Sequence, residues 1–103
     1  MCPVEKRKAH YPLTTVKRLT AERRVSFTVT AVACAAVMGF ATDEMLSIVW
    51  SLTNRNLYKS MTSHADHTVW HDVYHADTSR GVVYLKLTVL ENLLIVSFKE
   101  KDE

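Results

Sequence analysis

Gly81-Val82-Val83-Tyr84-Leu85-Lys86-Leu87-Thr88-Val89-Leu90-Glu91-Asn92-Leu93-Leu94-Ile95-Val96-Ser97-Phe98-Lys99 is the stretch that decides the fold. It is rich in β-branched and aromatic residues, and it is interrupted once by turn-forming residues. That is the pattern of two antiparallel strands, Val82–Val89 and Leu93–Lys99, joined at Glu91-Asn92. A two-residue turn there predicts four cross-strand pairs: Leu90 with Leu93, Thr88 with Ile95, Lys86 with Ser97, and Tyr84 with Lys99. Alternation then puts Val83, Leu85, Leu87, Val89, Leu94, Val96 and Phe98 on one wholly apolar face, which must be covered. The opposite face carries Tyr84, Lys86, Thr88, Ser97 and Lys99.

Two more period-two runs precede this hairpin, Leu57–Thr62 and His67–His75. A short link, Asp77–Arg80, places Val69, His71, Val73 and His75 on the Tyr84 side and adds Trp70 and Tyr74 to the apolar side. If the first hairpin, around Ser63–His67, brings Lys59 to the Tyr84 side, then two lysines, a tyrosine and a histidine converge there. Earlier still the period is helical. Leu13, Val16 and Leu19 mark a short amphipathic helix, Leu13–Ala21. Val25–Ala41 reads as a buried helix, started by Thr28 or Thr30 and stopped by Gly39. A third helix is capped by Thr42, has Asp43 and Glu44 in its first turn, and bears the stripe Met45, Ile48, Val49, Leu52. Residues 1–12, broken by Pro3 and Pro12, read as a flexible basic arm. Helices first and a meander second predict an α+β fold, with three N-terminal helices packed on one face of an antiparallel β-meander sheet. The whole chain, 1–103, is expected to be one domain.

Composition narrows the class. The chain has 103 residues, 48% hydrophobic and 23% charged, with two Gly, two Pro and two Cys. Collagen, Pro-rich linkers and low-complexity disorder are excluded. Two cysteines rule out a disulfide framework and a four-cysteine zinc site. The run after Arg23-Arg24 imitates an export signal, but it begins well inside the chain and falls short of the roughly 20 apolar residues that span a bilayer. No membrane association and a cytoplasmic location are therefore expected. The net charge of +2 conceals a split. Residues 1–24 hold seven Lys/Arg against two Glu, and the remainder holds six against nine acids. A basic N-terminal region suits a polyanion such as nucleic acid.

Candidate chemistry lies on the polar face of the sheet. Lysines, a phenol and histidines suit a phosphodiester backbone and stacked bases, although an ordinary wet sheet face has the same composition. His64, His67, His71 and His75 suggest a metal, yet on a strand His67, His71 and His75 stand about 13 Å apart at roughly 3.3 Å per residue. That is too far for ligands that must each lie about 2 Å from one ion. With Gly39 and Gly81 the only glycines, no phosphate-cradling loop exists. No metal and no cofactor are expected.

Tyr58-Lys59-Ser60-Met61-Thr62, Asp66-His67-Thr68-Val69-Trp70, Asp72-Val73-Tyr74, Gly81–Val89 and Leu94-Ile95-Val96-Ser97-Phe98-Lys99-Glu100-Lys101 resemble the motility quorum-sensing regulator family, the MqsR toxins. The similarity runs without gaps over residues 56–101 and more weakly through Val16-Lys17, Gly39 and Met45. The resemblance implies a RelE-like fold and a toxin of a bacterial type II toxin–antitoxin system. It implies an endoribonuclease that cleaves mRNA at short GC-containing sites without metal. It also implies a cognate zinc-binding antitoxin of the MqsA type, with any DNA association only through that antitoxin. By position, the functional residues fall on Lys59, Tyr84 and Lys99, with Tyr58 and Met61 nearby. The family's glutamine on the third strand is His71 here, so proton transfer or substrate binding are both open to it. The link His75–Arg80 also departs, and Arg80 and Lys86 are expected to add basic contacts to RNA.

Cleavage of this kind needs an acceptor for the 2′-hydroxyl proton, cations at the phosphoryl oxygens and a donor for the leaving oxygen. Lys59 and Lys99 fit the cationic role. Tyr84 beside Lys99 is expected to exchange a proton through its phenolate. His71 is expected to be the acid or base, since its type titrates near neutrality. The competing readings are a non-catalytic nucleic-acid- or protein-binding regulator, and a His-based metal hydrolase.

Overall fold

The computed structural model describes residues 4–101. The first three residues of the expected arm and the last two of the chain lie outside the described residues. The described chain is α+β, with three α-helices and a six-stranded mixed sheet. In chain order the elements are β1 (Glu5–Lys6), α1 (Leu13–Ala21), β2 (Val25–Phe27), α2 (Val29–Met38), α3 (Thr42–Ser51), β3 (Leu57–Thr62), β4 (Trp70–Thr78), β5 (Gly81–Val89) and β6 (Leu93–Glu100). A turn of 3-10 helix, Asn54–Asn56, leads into β3. The sheet order is β1-β3-β4-β5-β6-β2, antiparallel throughout except that β2 runs parallel to β6.

The helices begin and end for local reasons. Thr28 accepts a hydrogen bond from the Ala31 N–H and starts α2, and Gly39 ends it in the left-handed conformation at φ 91°. For α3 the cap is Ala41 rather than Thr42. The Glu44 carboxylate reaches back to accept from the Ala41 N–H at 3.0 Å, the N3 half of a capping box, while alanine offers no oxygen for the other half. Val16 and Leu19 of α1, Ala31 and Ala35 of α2, and Met45 and Val49 of α3 join Tyr74, Val83, Leu85, Leu87, Leu93, Ile95 and Phe98 of the sheet in one buried cluster. No single helix among the described residues is long and apolar enough to cross a membrane.

Several boundaries are corrected as well. Residues 4–12 are not a loose arm. β1 pairs with β3, with Glu5 opposite Met61 and Lys6 opposite Ser60. The buried Asp72 carboxylate accepts from the His10 N–H at 3.0 Å, the Tyr11 N–H at 2.9 Å and the Ser60 hydroxyl. Val25–Phe27 is a strand, because its register beside Leu93–Ile95 supplies backbone partners at the open edge of β6. β4 starts at Trp70 instead of His67. Asp66 closes a turn on the Thr68 N–H at 2.9 Å and its hydroxyl at 2.6 Å, which holds His67 off the sheet. The last turn holds three residues, Leu90–Asn92, and the register slips between Lys86 and Leu87.

That slip matters for side-chain facing. The pairs Tyr84–Lys99 and Lys86–Ser97 form as expected, but Leu87 meets Ile95 and Val89 meets Leu93. The extra residue of the bulge resets the alternation. Leu93 and Ile95 are therefore buried, and Leu94 and Val96 are the half-buried pair. Between β4 and β5 the link is shorter than expected, with Thr78 opposite Gly81, but the change is even-numbered and leaves the facing unaltered. Tyr74 is buried in the core, while Trp70 is half-covered by Lys6 and by the His10 ring stacked at 4.9 Å.

Candidate active site

Three strands set one row of side chains. His75 lies opposite Tyr84, and Tyr84 opposite Lys99. The Lys99 ammonium is 5.3 Å from the centre of the Tyr84 ring. A neighbouring row runs Lys59–Val73–Lys86–Ser97. β3 carries an irregularity between Leu57 and Lys59, so Leu57 turns to the core while Tyr58 and Lys59 both serve the outer face. Tyr58 stacks on the His75 ring at 4.5 Å, nearly parallel, and the Lys59 ammonium lies 5.4 Å from the Tyr58 ring. Tyr58, His75, Tyr84 and Lys99 line a shallow cleft of about 360 Å³, bordered by Glu100 and Lys101.

The electrostatics divide these groups by role. Lys59 is held above the ordinary lysine range, chiefly by its hydrogen bond to Glu5 at 2.6 Å, so it remains a cation. Burial pushes the Tyr84 phenol up and outweighs the opposing field of Lys59. Tyr84 is thus a proton holder at neutral pH, which corrects the expectation of a phenolate favoured by its lysine neighbour. Burial, then the field of Lys101, lowers His75. Burial, then the field of Lys86, lowers His71. Lys86 is itself lowered by burial and by Lys99.

The expected residues gather unevenly. Lys59, Tyr84 and Lys99 are brought together, with Tyr58 beside them. His71, opposite Met61, lies on the same face but two residue pairs along β4 from His75, about 13 Å away. It neighbours Lys86 rather than Tyr84 and Lys99. Arg80 does not line this cleft but a neighbouring one, which it shares with Lys99 and Glu100. Its guanidinium lies over the Phe40 ring at 4.9 Å and reaches Glu44 at 3.5 Å, at the helix side. His75 is the residue left out of the expected chemistry, although alternation already placed it on this side. The missing signal was its pairing partner, since only the register of β4 on β5 puts it across from the phenol. Among the described residues, no three His, Cys, Asp or Glu side chains converge as metal ligands.

Residues 8–100 match the family model described as "Motility quorum-sensing regulator, toxin of MqsA". The chain is also 44% identical over 98 residues to the mRNA interferase toxin MqsR of Escherichia coli (strain K12), covering 95% of this chain and all of that relative. This chain belongs to the MqsR toxin family. Every residue of the cleft except Lys101 falls within the span matched to the MqsR model, as do His71, Met61 and Lys86. Glu5, the partner of Lys59, falls before it. What the arrangement can do follows from its parts. The Lys99 ammonium is open to an anion and Lys59 can take one by sharing or releasing Glu5, the phenol can donate a proton, and the stacked Tyr58–His75 pair can meet a planar base or a proton.

Proposed function

We infer that this protein is the toxin of a bacterial type II toxin–antitoxin pair, an endoribonuclease that cleaves mRNA and thereby inhibits translation and growth. Membership of a family that includes an mRNA interferase supports the reaction class. The observation that carries the assignment of residues is the convergence of Lys59, Tyr84 and Lys99 on one open sheet face. The ribose 2′-hydroxyl attacks the adjacent phosphorus, and the bond to the 5′-oxygen breaks. Lys59 and Lys99 neutralise charge gathering on the phosphoryl oxygens. Tyr84, a protonated phenol, donates to the departing 5′-oxygen. Tyr58, Met61, His71 and Lys86 extend the face along the strand and hold flanking nucleotides. Arg80, over Phe40 and 3.5 Å from Glu44, borders a second cavity beside Lys99 and adds positive charge at the end of the sheet.

The finer reading is a RelE-like arrangement, with helices on one sheet face and RNA on the other. It includes cleavage at short GC-containing sites in the cytoplasm with no metal ion, the lysines supplying the positive charge. The partner is a zinc-binding antitoxin of the MqsA type, through which alone DNA is approached. Purified protein mixed with a defined transcript in excess EDTA is expected to cut it. Lys59→Ala and Tyr84→Phe are expected to fall about 10²-fold or more while remaining folded, the typical scale for one group in proton transfer or charge stabilisation. Full activity in both variants contradicts the site. Binding without products would favour a non-catalytic regulator, and loss of activity with EDTA a metal hydrolase.

A further inference from the structure

We propose that His75 is the catalytic base, taking the 2′-hydroxyl proton from within the cleft it shares with Tyr58, Tyr84 and Lys99. The proposal rests on the reading of the protein as an RNA-cleaving enzyme and assigns the one role that reading leaves open. His75, Tyr84 and Lys99 form one cross-strand row, and directly opposed side chains in such a row have Cβ atoms about 5 Å apart. The His75 and Tyr84 ring centres are 6.1 Å apart. A scissile phosphate lying over the row between them meets both a proton acceptor and a proton donor. Tyr58, stacked on the imidazole, fixes the ring plane. The Asn56 amide donates to the His75 carbonyl at 3.1 Å and pins the backbone.

The neighbouring groups leave His75 as the acceptor. It faces Tyr58 from β3, with Lys59 beyond that ring, Tyr84 from β5, and Lys99, Glu100 and Lys101 at the end of β6. Lys59 is a cation and Tyr84 a protonated phenol, so neither takes a proton near neutral pH. The Glu5 carboxylate is bound to Lys59. Glu100 borders the cleft at its end, its carboxylate beside Gly81, three residues along β5 from Tyr84. The imidazole, kept neutral by partial burial and by Lys101, has a free nitrogen lone pair. As the 2′-oxygen bonds to phosphorus, its proton passes to that nitrogen. The bond from phosphorus to the 5′-oxygen breaks, and that oxygen takes the proton of Tyr84. Transfer from imidazolium to phenolate then restores both groups, leaving a 2′,3′-cyclic phosphate and a 5′-hydroxyl.

The test is the pH dependence of kcat/KM for wild type, His75→Gln and His71→Gln on one RNA. For wild type, activity is expected to rise with pH to a plateau. The midpoint lies below the ordinary histidine value of about 6.5, because the lowered group loses its proton earlier. His75→Gln is expected to lose that limb and to fall about 10²–10⁴-fold, while His71→Gln keeps it. Added imidazole is expected to restore part of the rate to His75→Ala. A limb that persists in His75→Gln, a limb that vanishes only in His71→Gln, or no rescue by imidazole overturns the proposal. If wild type cuts RNA and the Lys59 and Tyr84 variants are slow while His75→Gln is normal, the His75 assignment alone falls. A wild type that cuts no RNA removes the enzymatic reading itself.

Discussion

At the scale of single residues, the site is controlled by which charge each neighbour favours. Lys59 is the clearest case. Its ammonium contacts Glu5 at 2.6 Å, and that carboxylate is half-exposed at the edge strand. An RNA phosphate that approaches Lys59 must share or displace it. An exposed pair of this kind contributes about 0–1 kcal/mol, so the effect on binding is modest. Glu5→Gln is expected to tighten binding of a non-cleavable 2′-deoxy analogue by about two- to fivefold at low salt, the difference shrinking as salt screens the charges. Unchanged or weaker binding of the analogue contradicts this view of Glu5 as a competitor for Lys59. Tyr84 shows the limit of reading a residue from its partner alone. Its lysine neighbours were visible in the alternation, but the burial that keeps it protonated depends on how the whole face is covered.

At the scale of elements, β4 organises both sides of the sheet. Its outer positions carry His71 and His75, and its inner positions carry Asp72 and the fully buried Tyr74. Asp72 is the staple between the N-terminal segment and the sheet, accepting two backbone N–H groups and the Ser60 hydroxyl. Asp72→Ala removes the acceptor of the Tyr11 N–H and of the Ser60 hydroxyl and leaves the His10 N–H only the Ser60 oxygen at 3.2 Å, at a cost of about 1–3 kcal/mol for each group left unsatisfied. The variant is expected to lose about 2–4 kcal/mol in chemical denaturation, and β1 to become open to hydrogen exchange. A loss below about 0.5 kcal/mol contradicts the staple. The sequence made the four later strands and three helices legible, because period and composition change sharply after Asn56. It hid β1 and β2, which are two and three residues long and carry no period of their own. It also hid the bulge opposite Lys86 and Leu87. Apolar residues fill Leu93 to Val96 without a break, so alternation there has two equally good phases, and packing against the helices chooses between them.

For the whole molecule, the sheet separates two tasks. Residues of α1, α2 and α3 share one buried cluster with the inward side chains of the sheet, while Tyr58 and Lys99 are exposed and Lys59, Lys86, Tyr84, His71 and His75 half-buried on its other alternation. The facing of Tyr84 with Lys99 was legible because a hairpin register fixes it locally. The contacts of Arg80 were not legible, because its turn lies at the end of the sheet, where its guanidinium meets Phe40 and Glu44. The central claim is that this exposed face turns the RNA's own 2′-hydroxyl on its phosphate. The direct measurement is mass spectrometry of the ends produced when a short mRNA is cut in EDTA, alongside the same RNA carrying one 2′-deoxy nucleotide at the cut site. The account predicts a 2′,3′-cyclic phosphate and a 5′-hydroxyl from the first and no cut at that site in the second. A 5′-phosphate end, or cleavage that survives the deoxy substitution, contradicts it.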